Sequence, residues 1–120
     1  MKKKSLKKQR KFGLIGKNIS YSFSKKYFTE KFLHNHFHNC EYENYDIHNV
    51  KEVTDIISNT KGLVGLNVTI PYKEIIVPFL DKVSKNAKQI GAVNCISISK
   101  SKNNKAITYQ RISEIYFTEP

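Results

Sequence analysis

The segment Gly65-Leu66-Asn67-Val68-Thr69-Ile70-Pro71-Tyr72-Lys73 concentrates side chains that can do chemistry. Leu63, Val64, Leu66 and Val68 supply an apolar strand, while Asn67 and Thr69 bring hydrogen-bonding groups to its carboxyl end, where open α/β sheets place their ligands. Pro71 suits the first position of a helix, because the N–H it lacks would be unpaired there anyway. The spacing predicts a helix over 71–80 with Lys73 in its first turn, where the positive end of the helix dipole disfavours an ammonium group. Lys73 is therefore a candidate proton donor and acceptor.

Two further segments flank this one: Phe12-Gly13-Leu14-Ile15-Gly16 followed by Ser20-Tyr21-Ser22-Phe23-Ser24, and Ile90-Gly91-Ala92-Val93-Asn94. Asn-Val-Thr-x-Pro-x-Lys at 67–73 resembles the substrate-site motif of shikimate dehydrogenases. The other two segments resemble that family's first strand with its serine-bearing loop and its Gly-Ala-Val-Asn segment. Each match is short, but the three occur in the family's order and spacing between Lys11 and Tyr109.

The resemblance implies that Ser22 and Ser24 hold a substrate carboxylate, that Asn67, Thr69 and Asn94 bind ring hydroxyls, and that Lys73 is the catalytic and substrate-binding lysine. The residue types suit those roles. Serine hydroxyls donate to a carboxylate, and amide and hydroxyl groups both donate and accept around a polyol ring. The implied reaction is NADP-dependent reduction of 3-dehydroshikimate to shikimate, a step of aromatic amino-acid and chorismate biosynthesis. In it a positioned general acid supplies about 10²–10⁴-fold of the rate.

The chain also departs from that pattern. Asn18 and Lys25 stand where the family's loop usually has prolines, and Tyr109-Gln110-Arg111-Ile112-Ser113-Glu114 stands where an Asn-Thr-Asp motif supplies the aspartate partner of the lysine. The glycines, at 13, 16, 62, 65 and 91, miss the Gly-x-Gly-x-x-Gly spacing of a dinucleotide-binding turn. The expectation is a basic flexible tail at 1–10, a substrate-binding domain at 11–109 and a divergent tail at 110–120. Such a chain is the substrate-binding half of a two-domain enzyme, shortened by truncation, gene decay or a frame change. It should bind shikimate or 3-dehydroshikimate without a nicotinamide cofactor, and be inactive alone. A non-catalytic ligand-binding remnant and a small basic nucleic-acid-binding protein are the alternatives.

Composition bears on those alternatives. The 120 residues suit one domain, and the net charge of +11 invites a nucleic-acid reading. Yet arginine, the residue suited to bidentate phosphate recognition, occurs only at Arg10 and Arg111. A solvated basic tail is the simpler account. No apolar run approaches the roughly 18 residues that cross a bilayer, and the charged N-terminus leads into a short strand rather than an export segment, so a cytoplasmic protein is expected.

Strands are read at 11–16, 41–47, 62–69, 92–99 and 105–109, the last two joined by a turn at 100–104, and helices at 24–38, 50–60, 71–80 and 83–90. That alternation argues for an α/β fold: a three-layer open sheet, mostly parallel, with helices on both faces. His34 and His38 lie opposite the apolar side of the predicted 24–38 helix, and neither they nor His36 and His48 join a ligand cluster, so no metal site is expected. Cys40 and Cys95 are isolated, and Cys95 reads as a small apolar filler. Ser22 and Ser24 also suit a helix cap, a role one could fill while the other faces a ligand.

Overall fold

Strand β1 (Arg10–Gly16) is buried over its last four residues and pairs in parallel with β2 (Cys40–Asp46) on one side and β3 (Leu63–Val68) on the other. The computed structural model describes residues 9–100 and 106–110. Helix α1 (Ser24–His34) links β1 to β2, and α2 (Glu52–Asn59) links β2 back across β1 to β3. Because the two crossovers run in opposite directions and right-handed connections are strongly favoured, the helices land on opposite faces of the sheet. The core divides accordingly. Leu14, Ile19, Phe28 and Tyr42 pack with Phe12 and Phe32 on the α1 side. Ile15, Val53, Ile57, Leu66, Val68 and Ile96 belong to the larger cluster on the α2 side.

Beyond β3 the chain makes a series of turns, a 3₁₀ turn at Val77–Phe79, strand β4 (Lys82–Val83), helix α3 (Lys85–Ile90), and strands β5 (Cys95–Lys100) and β6 (Ala106–Gln110). The strand order is β2-β1-β3-β5-β6-β4. Parallel pairing joins β1 to β2, β1 to β3 and β4 to β6, while β5 runs antiparallel to β3 and β6. The sheet is thus mixed with parallel pairings in the majority, and the expected three-layer α/β architecture holds. From β1 the chain leaves toward β2, and from β3 it leaves toward β5. The crevice at the carboxyl ends of these two neighbours is the topological switch point at which such sheets bind ligands.

Two predicted helices differ most from those observed. The one read over 24–38 stops at His34, because His36 takes a positive φ of 63° and the amides of His36 and Phe37 bond back to Leu33 and Phe32. This is a left-handed helix stop made without glycine, and it leaves His38 off the helix. The helix read over 71–80 does not form. Its Lys73 carbonyl, which would accept from residue 77, instead accepts the Val93 N–H at 2.9 Å, and Val77 turns to Glu74. The dipole that was to act on Lys73 therefore has no helix to arise from. Helix α3 begins two residues later than read, with the Ser84 hydroxyl accepting the Ala87 N–H at its start. The turn read at 100–104 and both tails fall largely outside the described residues.

Candidate functional site

Three main-chain hydrogen bonds stitch the three sequence motifs together at the carboxyl end of the sheet. The Thr69 amide donates to Ile15 at 2.9 Å, the Val68 amide to Asn94 at 3.0 Å, and the Val93 amide to Lys73 at 2.9 Å. Strand register adds a fourth link, setting Leu14, Asn67 and Cys95 side by side across β1, β3 and β5. Segments distant in the sequence are thereby held together by backbone hydrogen bonds.

The serine loop is fixed from beneath. The Asp46 carboxylate, at the end of β2, accepts the Asn18 amide at 2.9 Å and the Ile19 amide at 3.2 Å. Asn18 takes a φ of 59°, which a proline at that position could not adopt. The Ser22 hydroxyl accepts the Ser24 amide at 3.2 Å, so Ser22 takes the local capping role although Phe23 is the N-cap residue. Ser24 is half-buried, and its side chain lies near enough to the Tyr42 hydroxyl to lower that phenol's pKa.

Tyr42 ties the two halves of the crevice. It is 2% exposed, stacked on Phe28 at a ring separation of 4.7 Å, and its hydroxyl receives the Asn67 Nδ2 at 2.9 Å. Burial pushes its phenol up to about 12, an effect only partly offset by the hydrogen bond from Asn67 and the nearby Ser24 side chain. On the far face the Tyr72 hydroxyl donates to the Ile47 carbonyl at 2.6 Å, pinning the turn that carries Thr69 and Lys73 against the end of β2.

Asn67, Thr69 and Asn94 are half-buried, and Lys73 is exposed. The Asn94 Oδ1 is buried and lacks a hydrogen-bond partner, a costly arrangement that a ligand donor would relieve. A groove of about 420 Å³ adjoins the site on the β2 side. Ser22, Lys25, Lys26 and Asn44 line it, and Asn44 Oδ1 is likewise buried without a partner. The groove shares only Ser22 with the candidate set.

Tyr42, Asp46 and Tyr72 were not singled out from the sequence. Tyr42 offered one signal, a tyrosine in a predicted strand, but its hydroxyl's partner, Asn67, comes from a distant segment. Among the described residues no cluster of His, Cys, Asp or Glu could hold a metal ion, and no helix is long and apolar enough to cross a membrane.

An α/β domain with a polar crevice at its switch point, assembled from a serine loop, an Asn-Val-Thr turn and a Gly-Ala-Val-Asn segment, defines a small-molecule binding domain. The family model for the shikimate dehydrogenase substrate binding domain matches residues 14–96, and the chain belongs to this family. It is 40% identical over 109 residues to shikimate dehydrogenase (NADP(+)) of Chlorobium chlorochromatii, an alignment covering 82% of this chain and 33% of the relative. Shikimate dehydrogenase 1 of Peptoclostridium difficile superposes with a TM-score of 0.72 at 33% identity, covering 86% of this chain and 37% of that one. A Listeria monocytogenes shikimate 5-dehydrogenase solved with shikimate and NAD gives 0.69 at 27% identity, covering 85% and 34%. The chain spans about a third of the length of the curated relatives it matches.

The Chlorobium relative is named for NADP(+) and the Listeria one was solved with NAD; in this chain the first strand-to-helix turn is bonded internally. Its Asn18 and Ile19 amides, which could face a phosphate, are taken by the Asp46 carboxylate, whose charge would repel the phosphate. A Cβ at Gly16 would meet Thr69 at 2.5 Å, so the glycine serves packing within the crevice.

Proposed function

We propose that this chain supplies the substrate-binding half of a shikimate dehydrogenase, taking shikimate or 3-dehydroshikimate in the crevice between β1 and β3. What supports the reading is the set of bonds that holds the Thr69 and Asn94 segments beside the end of β1 and ties Asn67 to Tyr42, with the Asn94 oxygen lacking a hydrogen-bond partner. In this reading Ser22 and Ser24 hold the carboxylate, and Asn67, Thr69 and Asn94 bind ring hydroxyls. Lys73, exposed at the rim, gives the proton to the carbonyl oxygen or takes it from the hydroxyl. Hydride exchange with the substrate carbon is the work of NADP, and no step of it is assigned to these residues.

Titration of the 120-residue chain with shikimate, followed by amide chemical shifts, tests the proposal. Saturable shifts at Ser22, Ser24, Asn67, Thr69 and Asn94 are expected. Ser22→Ala should weaken binding. Shifts confined to the basic N-terminus, or none up to tens of millimolar shikimate, would refute it.

A further inference from the structure

Asn67 can offer a ligand either end of its amide, and the choice decides whether it acts as donor or acceptor. Its Nδ2 donates to the Tyr42 hydroxyl at 2.9 Å, which leaves Oδ1 as the end available to a ligand. Tyr42 is well placed to hold that choice. The ring is 2% exposed and stacked on Phe28, so the hydroxyl has a single fixed position. The Ser24 side chain at the start of α1 lies near the same phenol and lowers its pKa, while the Asn67 bond remains the contact that fixes the amide. Main-chain pairing reinforces the arrangement, since Phe12 lies opposite Tyr42 and Leu14 opposite Asn67, placing the phenol diagonally across β1 from the amide.

We propose that Tyr42 is a positioning residue that sets Asn67 as a hydrogen-bond acceptor for a ligand ring hydroxyl. The inference rests on the substrate reading above for the identity of the ligand, though not for the orientation of Asn67. Without the phenol oxygen the amide loses what distinguishes its two ends, and an averaged side chain offers the hydroxyl the wrong group part of the time.

Tyr42→Phe keeps the ring and removes only the hydroxyl. In the ligand-free 120-residue chain, the Asn67 side-chain N–H₂ resonances should be dispersed and show cross-relaxation to the Tyr42 ring. In the variant they should collapse toward free-amide values while the backbone spectrum stays folded. Unchanged Asn67 resonances would overturn the inference. Two ligands supply the second measurement: shikimate, and 1-cyclohexene-1-carboxylate, which keeps the carboxylate and lacks the ring hydroxyls. Tyr42→Phe should lower the preference for shikimate over the hydroxyl-free acid by about 5–10-fold, and should add little once Asn67→Ala is present. Equal weakening of both ligands would mark a purely structural role and also overturn it. Failure of the parent to bind shikimate would instead refute the proposed substrate, while the Asn67 resonances would still decide whether Tyr42 orients the amide.

Discussion

Replacing Tyr72 by phenylalanine tests the claim that a buried side-chain hydrogen bond helps to pin the turn carrying Thr69 and Lys73. The ring is 3% exposed and would keep its place in the core, so no cavity term enters. What disappears is the 2.6 Å bond to the Ile47 carbonyl, at a residue that is itself 3% exposed. A buried carbonyl left without its donor costs about 1–3 kcal/mol, whereas a bond that water can replace costs at most about 1 kcal/mol. The burial of both residues favours the upper range, so Tyr72→Phe should lower unfolding free energy by about 2 kcal/mol. The urea midpoint measures this, provided the slope is unchanged. Hydrogen exchange locates it: protection should fall at Tyr72 and Ile76, whose amides bond within the turn, and at Val93, whose amide bonds to Lys73. A loss below about 0.5 kcal/mol, or undiminished protection at those amides, would show that the turn is held some other way.

Other perturbations follow from the same geometry. Gly16→Ala should cost about 1–3 kcal/mol in chemical denaturation and weaken shikimate binding, because the new methyl meets Thr69 and Ile19 at 2.5 and 2.6 Å. Alkaline pH should destabilise the chain through Tyr42. Below pH 10 both states hold the phenol proton, and between 10 and about 12 only the native state does, so stability falls by about 3 kcal/mol across that window. Comparing urea midpoints of parent and Tyr42→Phe at pH 9 and 11 isolates this contribution, which the variant should lack. In a chimera with a complete nicotinamide domain of the family, Lys73→Ala should cut turnover by about 10²–10⁴-fold with little change in KM, whereas Ser22→Ala should mainly raise KM. Steady-state kinetics that left Lys73→Ala within a few-fold of the parent would remove the lysine from the mechanism.

The alternation of apolar strands with helices was enough to establish the α/β class, because side-chain periodicity is a local property and the buried run Leu14-Ile15 shows it directly. The candidate residues came instead from a family resemblance carried by short motifs, which keep their residue types and order, and strand register then sets Leu14, Asn67 and Cys95 side by side. What local sequence could not decide was any competition for a backbone group. Pro71 and its neighbours carry a helix signal, yet Val93 claims the Lys73 carbonyl and Tyr72 swings inward to Ile47, so a turn forms instead. His36 reads as helix and ends one, since the stop depends on a left-handed φ that histidine tolerates. Asp46 and Tyr42 were invisible for a further reason. Their partners lie 25 to 28 residues away, and only the folding of β2 beside β1 turns an ordinary aspartate and tyrosine into the supports of the serine loop and of Asn67.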